Sequence, residues 1–426
     1  MIIHVVEPGE SLYSIARRYG VTSESVMQAN ALPDPNQLAV GQAIVVPQGR
    51  RIYTVRPGDS MFAIAQRYGV PPSSILEENP DVEDGSRLYP GQIVVIPPPQ
   101  TRQGTIEVNG YAFPSTSPAL LQPIFPLLTY LSIFAYRVRA DGSLEPIDDE
   151  PLIELARQNH TAPVMVIANI RETGGFSTEI GRSVLNDQAA QNALVQNIRT
   201  TMREKNYYAL NVDFEYIRPQ DREAYNAFLT RITGAMHSEG HPVFTAVAPK
   251  LNAAQQGLLY EAHDYPAHGR TVDRVILMTY EWGYLAGPPQ AIAPIDQVRR
   301  VVQYAVSVIP PQKILLGIPN YAYDWALPYR RGTLADTFSN VEAVRRALAN
   351  NAAIQYDQTA RSPFYTYYDA ERRQHIVWFE DARSIQQKFG LVTEFGLAGV
   401  SYWTVGRPFP VNWFVLNEMF NVRKVL

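Results

Sequence analysis

The sequence predicts an α/β chain: a (β/α)8 TIM barrel preceded by two small βααβ modules. Three observations carry this. Eight apolar, β-rich runs alternate with helical patterns over about 320 residues, the size and order of a closed parallel barrel. An N-terminal pattern occurs twice. No Gly-rich phosphate turn follows any of the strands, as a doubly wound dinucleotide sheet requires.

The repeat comes first in the chain. "HVVEPGESLYSIARRYGVTSESVMQANAL" (4–32) returns as "YTVRPGDSMFAIAQRYGVPPSSILEENPD" (53–81), and "GQAIVVP" (41–47) returns as "GQIVVIP" (91–97) with one extra loop residue in the second copy. In each copy a strand leads through "PGES" or "PGDS", whose Ser or acid can N-cap the next helix, and Gly20 or Gly69 ends that helix. A second helix and strand complete the unit. Such units have thin cores and suit binding rather than catalysis. We place the modules at 1–49 and 50–98, with "PPPQTRQG" (97–104) as a semi-rigid Pro-rich linker to the domain at 99–426.

The barrel strands are expected at 105–113, 130–138, 163–170, 208–216, 242–249, 274–282, 313–321 and 397–403. Between most of them lie helical stretches such as 187–206, 221–240 and 295–310. The gap before the last strand is too long for one helix. Residues 331–381 contain "FYTYYDAERRQHIVWFED", a hairpin around Asp369–Gln374, so a small α+β insertion between strands seven and eight is expected to wall a cleft.

Composition removes several function classes. The absence of cysteine excludes disulfides, thiolate metal sites and a cysteine nucleophile, and the seven histidines are too scattered for a metal site; His237 and His241 are separated by a helix end at Gly240. No metal or other cofactor is expected. The net charge of −4 is spread along the chain, with ten acids against seven arginines in residues 1–100, so no segment has the basic excess of a nucleic-acid or anionic-membrane binder. No apolar stretch spans a bilayer, and "MIIHVVEPGE" lacks the pattern of a secretory signal. A monomer is expected.

Chemistry concentrates in "YYALNVDFEYI" (207–217). On a strand Asn211, Asp213 and Glu215 share one face, opposite Leu210, Val212 and Phe214. Burying two carboxylates on one face is costly unless they are bonded or share a proton, and barrel enzymes place catalysis at the C-terminal ends of strands. Glu215 and Asp213 therefore read as a partly desolvated general acid beside a second carboxylate, as in glycosidases.

Two resemblances sharpen this. The N-terminal copies resemble the LysM module, with its "Y-x-V-x-x-G-D-S" opening and "L-x-x-G-Q-x-x-x-I-P" close. That implies binding of β-1,4-linked N-acetylglucosamine polymers through Gly9, Ser11 and Leu12 with Asn30 and Leu32, and through Gly58, Ser60 and Met61 with Asn79. "NVDFEY" resembles the DxxDxDxE signature of glycoside hydrolase family 18. The resemblance implies that Glu215 protonates the glycosidic oxygen, the substrate's 2-acetamido oxygen is the nucleophile, and Asp213 orients the acetamido N–H. "MTYEW" resembles the family's M-x-Y-D, with Met278 and Tyr280 flanking the sugar, the Tyr280 hydroxyl on the acetamido oxygen, and Glu281 where Asp is usual. "VSYW" implies Trp403 as the floor under the scissile sugar, and Tyr321 and Trp325 look like cleft-wall aromatics.

The signature's first two Asp positions are Tyr208 and Asn211 here. An amide at 211 can donate a hydrogen bond but cannot exchange a proton with its neighbour, so Asp213 is expected to stay ionised and the pH profile to depart from that of ordinary chitinases. "YLSIFAYRVRADGSLEPIDD" and "VIANIRETGGFS" resemble the LysM-bearing N-acetylglucosaminidases that degrade spore cortex peptidoglycan. The resemblance implies a cell-wall or spore coat/cortex location, peptidoglycan or muropeptides as partners, and a role in germination. A chitinase and a non-catalytic glycan-binding barrel are the alternatives; the intact Glu215 weighs against the second, and Asn211 slightly for it.

Overall fold

The computed structural model describes residues 1–32, 34–47, 49, 51–82, 87–98 and 102–426. The chain forms two compact units, Met1–Gln103 and Gly104–Leu426.

In the first unit β1 (Ile2–Val5) pairs antiparallel with β2 (Ala43–Val46), and β3 (Arg51–Thr54) with β4 (Ile93–Ile96). Helices Leu12–Tyr19 and Ser23–Asn30 join the first pair, and Met61–Tyr68 and Pro72–Glu78 the second. The turn residues divide their labour: the Ser11 and Ser60 hydroxyls cap the helices by accepting from the N–H of Ser14 and Ala63, both at 3.2 Å. The acids close the turns, Glu10 accepting from the N–H of Glu7 and Asp59 from that of Arg56, each at 2.8 Å. Gly20 and Gly69 take φ of +69° and +68°, ending the helices in the left-handed conformation that costs glycine least. The extra loop residue of the second copy falls near 83–86, and part of the Pro-rich linker is 99–101; both stretches lie outside the described residues.

The second unit is a closed parallel barrel. Its strands are β5 (Thr105–Ala112), β6 (Tyr130–Val138), β8 (Ala162–Ala168), β9 (Ala209–Asp213), β10 (Val243–Val247), β11 (Arg274–Leu277), β12 (Ile314–Pro319) and β18 (Gly399–Trp403); a short β7 (Leu144–Glu145) edges β6. Each pairs with the next, and β18 pairs with β5 to close the ring. The expected helices form at Gln188–Glu204, Arg222–His237 and Ile295–Val308. None of the described helices is long and apolar enough to cross a membrane.

The barrel interior is polar along one column of β5. Glu107 accepts two bonds from Arg274 (2.6 and 2.7 Å), and Asn109 bonds Ser132 and Ser401 (2.8 and 2.9 Å). Tyr111, two residues on and so on the same face, meets Asn211 of β9. Every buried polar group in this column finds a partner from another strand, which ties the strands to one register.

The insertion is larger than expected. It begins at β13 (Ala322–Ala326) rather than near residue 331, and adds β14 (Asp336–Phe338), helix Asn340–Ala349, β15 (Gln355–Asp357), β16 (Ser362–Tyr368) and β17 (Gln374–Trp378) as a five-stranded antiparallel sheet. The expected bounds end the barrel strand at 321 and start the insertion at 331, leaving "AYDWA" (322–326) between them. β13 pairs with β14 and β17, not with the barrel. The final β19 (Asn421–Val422) lies beside β5.

Candidate active site

The strand predicted at 208–216 stops at Asp213. Asn211 and Asp213 face the barrel interior, and Glu215 lies just past the strand end, where the backbone turns away and Tyr216 takes φ +55°. Main-chain bonds to residues far along the chain hold this exit. Asn169, at the end of β8, accepts from the Glu215 N–H (3.0 Å) and donates through Nδ2 to the Glu215 carbonyl (2.8 Å) and to that of Ser177 (3.0 Å). His263 accepts from the Ala248 N–H at Nδ1 (2.8 Å) and donates from Nε2 to the Phe214 carbonyl (3.0 Å). Burial pushes the His263 ring down to about 4, so it stays neutral and keeps that donor.

Asp213 and Glu215, at the end of β9, line a cavity of about 240 Å³ with Met278, Tyr280 and Glu281 at the end of β11 and Trp403 at the end of β18, three strand ends far apart in sequence. Tyr111, Phe134, Phe176 and Leu259 complete its wall. Trp403 packs edge-on against Phe134 (4.8 Å between centroids), Tyr111 (5.3 Å) and Phe113 (5.8 Å). Such an aromatic box suits the apolar face of a sugar ring.

The charges are desolvated. Burial raises the Asp213 carboxyl to about 7, and burial together with the nearby charges of Asp213 and Glu281 raises Glu215 well above the usual carboxylate range. This overturns the expectation that Asp213 stays ionised. Asn211 directs its amide nitrogen to the Tyr111 hydroxyl at 2.5 Å rather than to Asp213, and Asp213 Oδ1 is buried with no hydrogen-bond partner among the described residues. Glu281 has φ +68°, a left-handed conformation that a non-glycine residue adopts at a cost, and the Tyr321 and Tyr323 hydroxyls hold it there (2.5 and 2.9 Å). Burial raises the Glu281 carboxyl and those two donors oppose the rise.

Some expected contacts belong elsewhere. Trp325 is 2 % exposed, donates to the Gly287 carbonyl (2.9 Å) and packs behind Tyr323 inside the insertion, so it is not a cleft-wall aromatic. In the N-terminal modules Leu12 and Met61 are buried core residues. Asn30 and Asn79 each accept from a strand N–H (2.8 Å) and donate to that strand and their own helix (2.7 Å), so their side chains staple the fold. Leu32 packs partly against the first core, and Gly9 and Gly58 are turn residues at φ +83° and +84°. Among the apolar side chains that do face solvent, Tyr13 and Phe62 stand at equivalent positions of the two copies, 68 % and 69 % exposed.

Sequence reasoning missed Tyr111, Asn169 and His263. Tyr111 continues the period-2 column of Glu107 and Asn109, and Asn169 is a polar residue ending an apolar strand, the same signal that singled out Asp213. His263 sits in irregular chain and carried no signal.

A closed parallel barrel with two desolvated carboxylates in a sugar-sized aromatic cavity defines a glycoside hydrolase. The chain belongs to glycosyl hydrolases family 18, which residues 126–407 match, and residues 4–47 and 53–97 match the LysM domain. It is 47% identical, over 100% of its own length and 99% of the relative's, to the cortical fragment-lytic enzyme of Bacillus subtilis (strain 168). The corresponding Bacillus anthracis enzyme is 42% identical over 99% of both chains. Among solved structures, the Bacillus megaterium QM B1551 spore cortex-lytic enzyme SleL superposes with a TM-score of 0.85 at 40% identity, covering 100% of this chain and 99% of that one. A chitinase from Chromobacterium violaceum ATCC 12472 gives 0.68 at 25% identity, over 74% of this chain and 98% of its own.

Proposed function

We propose that this chain is a retaining N-acetylglucosaminidase of spore cortex peptidoglycan, working at the spore coat or cortex during germination. The observation that carries the catalytic reading is the unpartnered, buried Asp213 Oδ1 in the same cavity as the desolvated Glu215. A buried acceptor without a donor is costly, and a substrate acetamido N–H supplies that donor.

Glu215, kept protonated by burial, gives its proton to the glycosidic oxygen as the C1–O bond breaks. The substrate's acetamido oxygen attacks C1 from the other side, and Asp213 holds the N–H as positive charge develops in the oxazolinium ring. Tyr280 steadies the acetamido oxygen, while Trp403 and Met278 pack on the sugar. Water, deprotonated by the Glu215 carboxylate, then attacks C1 and reopens the ring, which restores the proton and the original anomeric configuration. Relatives carrying cortex-lytic names over the full chain length favour peptidoglycan over chitin.

Residues 1–49 and 50–98 are assigned to wall anchoring. The exposed Tyr13 and Phe62, aromatics at the same position of each copy, are able to stack on a glycan there. Two modules on one chain raise retention through effective concentration.

The test is mass spectrometry of borohydride-reduced products from spore cortex, vegetative wall and chitin oligomers, with the natural chain and with Glu215→Gln. Reduced N-acetylglucosamine ends from peptidoglycan, lost in the variant, are expected. Products from chitin alone would make it a chitinase, and none anywhere would leave a glycan-binding barrel.

A further inference from the structure

A second cavity, of about 230 Å³, shares Glu281 and Trp403 with the catalytic one and extends between the last barrel strand and the insertion, lined also by Tyr321, Tyr323, Thr337 and Arg407. Arg407 is built into place. Asn320, 1 % exposed, donates to the main-chain carbonyls of Thr404 (2.7 Å) and Arg407 (2.9 Å), and so holds the segment that carries it. Arg407 Nη1 donates to the Thr337 hydroxyl and the Phe338 carbonyl, both at 2.9 Å. Among the described residues its Nη2 and Nε have no bond and the guanidinium has no ion pair.

Desolvation lowers the Arg407 pKa, opposed by Tyr323, Tyr321 and Asp336, whose carboxylate is already paired with Arg346 (2.6 Å). Glu281, the acid lining the same cavity, is occupied by its two tyrosine hydroxyls. A half-desolvated guanidinium with its Nε–Nη2 edge free and no counter-ion among the described residues is suited to a carboxylate, which it binds through paired, charge-assisted hydrogen bonds.

We propose that this cavity is a carboxylate-recognising subsite for the sugar next to the acetamido sugar in the catalytic cavity, with Arg407 as its anchor. The inference rests on the hydrolase reading above and adds a substrate class: glycans whose neighbouring sugar bears a carboxylate, from a free lactyl ether or from the first amino acid of a trimmed peptide stem. A neutral chitin chain offers Arg407 no such group.

The experiment is calorimetric binding in the Glu215→Gln chain, with and without Arg407→Met or Arg407→Lys. The probes are alternating N-acetylglucosamine–N-acetylmuramic acid tetrasaccharides with a free lactyl carboxyl, its methyl ester or an L-alanyl stem, together with chitotetraose. The free acid or the alanyl form is expected to bind about tenfold to a hundredfold tighter than the ester, the tighter one identifying the source of the carboxylate. Arg407→Met should abolish that ratio and Arg407→Lys keep part of it. An equal affinity for acid, alanyl form and ester in the Arg407 chain, or a ratio that survives Arg407→Met, overturns the proposal. Should Arg407→Met fail to fold by circular dichroism, the acid–ester comparison on the Arg407 chain and the lysine variant still decide. Product formation without acid preference removes the subsite and leaves the hydrolase; acid preference without products from the natural chain does the reverse.

Discussion

Replacing Asn169 by alanine tests whether the exit of β9 is held from outside. The substitution removes three hydrogen bonds, two to the Glu215 main chain (3.0 and 2.8 Å) and one to the Ser177 carbonyl (3.0 Å). The Ser177 carbonyl keeps its bond from the Gly181 N–H, so the Glu215 N–H and C=O are the groups left exposed to loss. At roughly 1–2 kcal/mol for each such group, the variant should be about 2–4 kcal/mol less stable. The larger effect falls on rate, because the carboxyl is positioned through this backbone. A displacement of about 1 Å at a reacting group costs on the order of a hundredfold, or ~2.7 kcal/mol in the barrier. Glu215 freed toward solvent is also less desolvated, so its pKa falls and the alkaline limb of the rate profile moves to lower pH. A general acid must be protonated, and the limb follows its pKa. The assay is kcat, KM and their pH dependence on a soluble acetamido-sugar substrate at a temperature where the variant is folded, with binding measured in the Glu215→Gln background. A lower kcat with nearly constant KM and an acid-shifted limb are expected. An unchanged limb, or a loss confined to KM, would show that Asn169 does no more than support the fold.

Three further outcomes follow from the same structure. The folded chain holds the Asp213 proton up to about pH 7 while the unfolded chain releases it near 3.8, so this group's contribution to stability falls as pH rises through that window and is level above it. Asp213→Asn should therefore gain melting temperature relative to the natural chain between pH 4.5 and 8, by at most roughly 1.4 kcal/mol per pH unit; a constant difference contradicts the burial argument. Lys388 and Glu380 form a fully buried ion pair at 2.8 Å, so Lys388→Met should cost about 3–5 kcal/mol in chemical denaturation, whereas Lys388→Met with Glu380→Leu should recover most of it. Tyr13→Ala with Phe62→Ala should weaken sedimentation with insoluble peptidoglycan severalfold while sparing turnover of short soluble fragments; equal loss on both substrates would remove the anchoring role.

Local chemistry made much of this molecule legible from sequence. The repeat, the Ser caps and the glycine helix ends are short-range features, read from spacing because each depends on residues within a turn or two. The alternation of apolar runs and amphipathic helices implied a parallel barrel, since few architectures bury such runs. Period-2 reading also placed Asn211 and Asp213 on one face. The strand's end, the pairing of β13 away from the barrel and the burial of Trp325 depend on contacts that no short window contains.

The same limit explains the errors among the site residues. Asn30 and Asn79 look like polar loop residues available to a ligand until the closing strand, 15 and 16 residues on, takes up their side chains. The protonation of Asp213 could not be read from the amide at 211, because desolvation is set by every surrounding strand. The sequence alone determined the element types, their order and the residues able to do glycosidase chemistry, because these depend on side-chain identity and local spacing. Only the tertiary structure decided how far burial raises the Asp213 and Glu215 carboxyls, what holds Glu215 in place and that Arg407 stands beside the cavity without a counter-ion among the described residues, because those depend on which distant residues the closed barrel brings into contact.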